Sequence, residues 1–178
     1  METTLVVQYG EMESPVGPLT LLKTEKGLCR IDFGSAEENL PLINAWLKKQ
    51  ALKAELTFDH ASFQPFIEQI NEYFNRERTH FDIPIALFGS TFQKKVWEGL
   101  VKIPYGETYS YKDVATMIGS PKAVRAIGSA NNKNPLPIII PCHRVIGSNG
   151  SLVGYGGGLD KKEILLNLEQ EEPSQICS

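Results

Sequence analysis

Cys142 and His143 stand side by side after Pro141 in a chain of 178 residues. A free thiol has a pKa of about 8.5 and is mostly protonated at neutral pH, so it attacks well only where an imidazole can take its proton. In a strand the two side chains would point to opposite faces, so the imidazole can serve the sulfur only if the chain turns or enters a short helix after Pro141. The preceding run Pro137-Ile138-Ile139-Ile140-Pro141 reads as a short buried strand that the second proline ends. A nucleophile activated by a base is one reading of this pair; a buried inert cysteine beside a surface histidine is the other. Cys29 and Cys177, the remaining cysteines, have no CxxC spacing, which supports neither a disulfide framework nor a cysteine-rich zinc site and fits a reducing cytosol or nucleus.

Several elements must position that pair. Ser90-x-x-Gln93 forms a capping-box pattern ahead of Phe92, Val96, Trp97, Leu100 and Val101, which share one helical face. Ser110-x-x-Asp113 opens a second helix with Tyr111, Val114, Ala115 and Ile118 as its stripe, and Gly119 ends it. Ser120 and Pro121 predict a third helix, as cap and first helical residue. Two short helices joined by a glycine turn have the form of a helix-turn-helix or of an ordinary helical hairpin. On the third helix Val124 and Ile127 point inward, and Lys122, Arg125, Ala126 and Ser129 lie opposite. Asp160-x-x-Glu163 starts a last helix with Ile164, Leu165 and Leu168 on one face, and Glu169 closes it, able to pack back toward the strand.

The first half reads differently. Residues 5–9, 19–23 and 28–33 predict strands, with Cys29, Ile31 and Phe33 on the core side, while residues 36–49 and the stripe Phe63, Phe66, Ile67, Ile70, Tyr73 and Phe74 predict helices. Ile83-Pro84-Ile85 and Phe88-Gly89-Ser90 place a boundary near residues 84–90. The fold class is α+β, with domains at 1–86 and 87–170 and a flexible tail at 171–178. With 42% hydrophobic and 22% charged residues the chain must fold around a core, and it has neither a membrane-spanning apolar run nor a leader-like N-terminus. The net charge of −3 hides an asymmetry: residues 91–150 carry eight Lys and Arg against three Asp and Glu, net +5, leaving −8 elsewhere. A basic module in an acidic chain fits one face that meets phosphate, or simply a solvated face.

The string Pro-Cys-His-Arg-Val at 141–145, with Asn134-Pro135 before it and Gly154-Tyr155-Gly156-Gly157-Gly158-Leu159 after it, resembles the active-site region of O6-alkylguanine-DNA alkyltransferases. The likeness runs from Phe92 to Glu169 and, more weakly, through Ser14-Pro15-Val16-Gly17 and Gly27-Leu28. It implies a ribonuclease-H-like sheet domain followed by a mostly helical, winged-helix-like domain that binds DNA and carries the active site. It assigns Cys142 as alkyl acceptor, His143 as its base through a water, Glu169 as the group orienting His143, Asn134 as a hinge and Tyr111 as the donor to the guanine ring. Arg125 would fill the stack that the flipped nucleotide leaves, with Lys122, Ala126, Ser129 and Arg144 also at the DNA and the helix in the minor groove.

Tyr155, Gly156, Gly157 and Gly158 would close over the base. That run has no phosphate-loop spacing, and Gly156 stands where a serine follows the pocket tyrosine in relatives. The implied partner is duplex DNA containing O6-alkylguanine, or O4-alkylthymine, bound by a monomer or cooperatively by several copies. The implied reaction is single-turnover and needs no cofactor. Relatives that hold zinc do so through Cys and His, and here Cys29 has only His60 and His80 before the boundary, so no metal is expected. Two rivals remain: a cysteine hydrolase with multiple turnover, and a lesion-binding protein that transfers nothing.

Overall fold

The computed structural model describes residues 4–50, 53–152 and 155–170. One compact unit ends at Phe88 and a second begins at Gly89. In the first, β1 (Leu5–Met12), β2 (Leu19–Thr24), β3 (Gly27–Phe33) and β4 (Ala54–Phe58) form a sheet of order β3-β2-β1-β4. β1 and β2, and β2 and β3, are antiparallel; β1 and β4 are parallel, with Val7 opposite Leu56. Parallel neighbours need a crossover, and α1 (Ala36–Lys49) lies within it. Ser35 caps α1 by accepting from the Glu38 N–H, as its short polar side chain suits. Val7, Leu22, Cys29, Ile43 and Leu47 close the core between sheet and helix, so Cys29 faces inward as its parity predicts. β4 was not foreseen. The apolar stripe expected on α2 (Gln64–Phe74) is buried at Phe66, Ile67, Ile70, Tyr73 and Phe74. At the end of the unit Leu28 and Ile85 form a bridge, and Gly27 is obligatory there: its φ is +142° and a Cβ would strike the Pro84 backbone.

In the second unit α3 (Thr91–Leu100) and α4 (Tyr111–Met117) begin with complete capping boxes, Ser90 with Gln93 and Ser110 with Asp113, as expected. Val96, Trp97 and Leu100 form the buried stripe of α3, but Val101 is exposed because it follows the last helical turn. After α4 the Ser120 N–H bonds the Ala115 carbonyl at 2.8 Å and the Gly119 N–H bonds Thr116 at 3.1 Å, with Gly119 left-handed at φ +74°. That closure explains a correction. Ser120 finishes α4 instead of capping α5, which runs Val124–Asn132 from Ala123, and Pro121 lies in the turn closed by the Ala123 N–H on the Ser120 carbonyl. A buried bond of 2.8 Å from Trp97 Nε1 to the Ala130 carbonyl ties α3 to α5. The two-residue strands β5 (Tyr109–Ser110) and β6 (Val145–Ile146) pair in parallel and bring the start of α4 beside the Cys142 turn.

Ile138 to Ile140 are buried, but they form turns and not the expected strand. The Ile140 N–H returns to the Leu136 carbonyl at 2.8 Å and the Cys142 N–H to Ile140 at 2.7 Å, so the backbone groups a ladder would need are spent locally. α6 (Leu159–Gln170) follows, with Lys162, Leu165 and Glu169 buried. Its inward stripe is out of phase with the expected one: Ile164 is 41% exposed.

Candidate active site

Pro141 ends the turns, and Cys142 opens a single turn of 3-10 helix, Cys142–Arg144. This is the break that the adjacent Cys and His require. Cys142 is a free thiol, 4% exposed. Burial pushes its pKa up to about 11, opposed by a hydrogen bond from Asn134, the charge of Lys162, and the Cys142 and His143 backbone N–H groups. Asn134 also braces the turn: its Nδ2 donates to the Ile140 carbonyl at 2.9 Å and its Oδ1 accepts from the Leu136 N–H at 3.0 Å.

His143 is fully buried, and its Nε2 lies 2.6 Å from Glu169 Oε2. Nδ1, at the opposite edge of the ring, is buried without a protein partner among the described residues. Burial lowers the His143 pKa against the pull of Glu169, so the ring is neutral at pH 7. Burial alone would raise the Glu169 carboxyl, but hydrogen bonds and charge from His143 and Arg144 outweigh it and hold the pKa at about 2. With the imidazole neutral, we ascribe the ionic part of that effect to Arg144.

Arg144 is the correction among the expected DNA contacts. It is buried, donating from Nε to Glu169 Oε1 at 2.7 Å, from Nη2 to Oε2 at 3.1 Å and from Nη1 to the Ile103 carbonyl at 2.7 Å. A guanidinium committed to a buried carboxylate has no fork left for phosphate. The Gly106 N–H adds a fourth donor toward Glu169, at 3.4 Å.

The Tyr111 ring lies over α5, 3.9 Å from where a Cβ on Gly128 would stand. Burial raises the Tyr111 pKa, as does negative charge on Cys142; a side-chain hydrogen bond with Asn131 acts in the opposite direction. Tyr155 is shifted up by burial and by the same charge. Gly156 to Gly158 form the turn into α6, where a side chain at Gly156 would press on the Asn132 carbonyl at 3.3 Å. Gly154 and Cys177 lie outside the described residues.

Lys122, Arg125, Ala126 and Ser129 are all exposed on or beside α5. Val124, expected to pack inward, is 38% exposed, and Ile127, Ala130 and Asn131 form the inner face. Two site residues escaped the sequence reading. Lys162 donates to the Val145 carbonyl at 2.5 Å, and burial lowers its pKa while a Cys142 thiolate would raise it. Its sign was the i, i+3, i+7 spacing of Lys162, Leu165 and Glu169. Asn131, a polar residue four positions after Ile127 on the inner face, carried a similar one. Among the described residues no group of three or more His, Cys, Asp or Glu could hold a metal ion, and no helix is long and apolar enough to cross a membrane.

A sheet unit followed by a helical unit with a buried Cys-His-Glu series defines a class of proteins that set a cysteine beside a carboxylate-held imidazole. The chain belongs to the 6-O-methylguanine DNA methyltransferase family: residues 7–87 match its ribonuclease-like domain and residues 91–171 its DNA binding domain. It is 45% identical to the methylated-DNA--protein-cysteine methyltransferase of Methanosarcina barkeri over 91% of this chain and 96% of that protein. It is 43% identical to that of Mycobacterium bovis, over 93% of each. A crystal structure of Mycobacterium tuberculosis OGT in complex with DNA superposes with a TM-score of 0.78 at 41% identity, covering 93% of this chain and 92% of that one.

Proposed function

We propose that this chain repairs alkylated DNA directly, moving an alkyl group from guanine O6 to Cys142 in one irreversible event. The observation that carries the reading is the buried series Cys142, His143, Glu169 and Arg144, set in the same unit as a helix that exposes Arg125. Neutral His143 takes the Sγ proton at Nδ1 through a water. The thiolate attacks the alkyl carbon, the S–C bond forms as the C–O6 bond breaks, and the electron pair passes into the guanine ring. Tyr111 donates a proton to that ring, and the proton held by His143 restores the phenol through solvent. The products are S-alkylcysteine and unmodified guanine.

A thioether offers water no carbonyl to attack, so the protein is consumed, unlike a cysteine hydrolase. A lesion binder that transfers nothing would have no use for an acceptor thiol. The partner is duplex DNA, entered by α5 from the minor groove, with Arg125 filling the stack left by the flipped base. Monomeric binding and action on O4-alkylthymine belong to the same reading. Incubation with a duplex containing O6-methylguanine, followed by mass spectrometry, tests it: one methyl per protein on the Cys142 peptide is expected, with product reaching a stoichiometric plateau. Continued turnover, or a protein of unchanged mass, would refute it.

A further inference from the structure

Asn131 is buried on the inner face of α5, one turn beyond Gly128, over which the Tyr111 ring lies. Its Nδ2 donates to the Cys142 carbonyl at 3.4 Å. Its side chain also acts on Tyr111 in the sense that favours the ionised phenol, and the donating end of the amide is Nδ2. Oδ1 is buried without a partner among the described residues. Reversing the amide would set Oδ1 against the Cys142 carbonyl, acceptor to acceptor, so that carbonyl fixes which end of the side chain donates. A leucine would fill the same space without a stranded buried acceptor, so packing does not account for an amide here.

We infer that Asn131 is a positioning residue for the transfer step: by donating to the Tyr111 phenol oxygen and to the Cys142 carbonyl, it commits the phenol's single O–H to the guanine ring. The inference rests on the donor role proposed for Tyr111. As the C–O6 bond breaks, the Tyr111 proton moves to a ring nitrogen and charge grows on the phenol oxygen. Asn131 keeps both its hydrogens, and its bond to that oxygen strengthens as the charge develops.

The test is a double-mutant cycle on single-turnover methyl transfer from an O6-methylguanine duplex, using Asn131→Leu, Tyr111→Phe and the pair. Cys142 alkylation by iodoacetamide is measured alongside, because iodide departs without a proton. Asn131→Leu should slow methyl transfer about tenfold, a fraction of what general acid catalysis supplies. It should slow the iodoacetamide reaction several-fold less than methyl transfer, and the pair should be no slower than Tyr111→Phe alone. Asn131→Asp, nearly isosteric and available should the apolar variant not fold, should be slower than wild type, because a carboxylate turns the phenol O–H onto itself. If Tyr111→Phe is slow but both Asn131 variants transfer at the wild-type rate, or if the two effects are fully additive, Asn131 does not act through Tyr111. A wild-type rate for Tyr111→Phe would instead overturn the donor role of Tyr111, and this inference with it.

Discussion

Replacing Glu169 by Gln removes the anion that His143 and Arg144 share. The glutamine keeps one acceptor oxygen but presents an amide to the other partner, leaving a buried guanidinium without its counter-charge. Breaking a buried pair from one side costs about 3–5 kcal/mol. The carboxyl itself gives a second measure. Its pKa falls from the ordinary 4.5 to about 2 on folding, which corresponds to about 3 kcal/mol of stability. Because the folded value is depressed, this stability is complete above pH 4.5 and is lost as the pH falls toward about 2.

Denaturant unfolding of wild type and Glu169→Gln should therefore differ by about 3 kcal/mol at neutral pH, with the gap closing progressively below pH 4.5. Single-turnover transfer at neutral pH should fall by about tenfold or more, since the imidazole loses the carboxylate that orients it. A stability gap that is the same at neutral pH and at about pH 2 would refute the claim that His143 and Arg144 hold the carboxylate ionised.

Cys142→Ser should bind O6-methylguanine duplex with wild-type affinity in a gel-shift titration while its mass stays unchanged; a methyl adduct mapping to Cys29 or Cys177 would displace Cys142 as acceptor. Arg125→Ala should slow repair in duplex by about tenfold, equivalent to about 1.4 kcal/mol of lost help in flipping, yet leave reaction with free O6-benzylguanine unchanged; equal slowing on both would mean that Arg125 supports the site's fold. Lys162→Met should raise the Cys142 pKa further and cut the neutral-pH transfer rate by about tenfold, one pKa unit of lost thiolate stabilisation, whereas Lys162→Arg should retain most of it; thiolate absorbance against pH checks the direction. Transfer should decline on acidification only below pH 6.5, because the His143 pKa is lowered from that value, and a rate already falling above it would contradict a neutral buried imidazole.

What could be read from the sequence was what four or five consecutive residues decide among themselves. The capping boxes of α3 and α4 close within their own first turn, and Cys142 leaves its apolar run because Pro141 permits nothing else. β4 was invisible because its signal is not local: half-exposed Ala54–Phe58 is a strand by virtue of pairing with β1 far back in the chain. The start of α5 was misplaced since Ser120 is a good cap by type, and only the turn closed by the Ala123 N–H on the Ser120 carbonyl shows that the helix begins later. Arg144 carried the deepest ambiguity. A cation beside a reactive cysteine looks alike whether it meets phosphate or a carboxylate, and the carboxylate in question lies 25 residues further on. Lys162 was missed for the converse reason, as a lysine on a helix is by default solvated and only the phase of the stripe betrays it.

That single carboxylate also orders events in time. Residues of the loop after α3, of the 3-10 turn and of α6 all meet at Glu169, one position before the end of the last described helix. A chain growing on the ribosome has its nucleophile, its imidazole and its exposed α5 cations in hand well before residue 169 is added. Until then His143 and Arg144 lack the group that joins them, and nascent chains or fragments stopping short of α6 hold an unactivated thiol. The centre is thus complete only once α6 has been made.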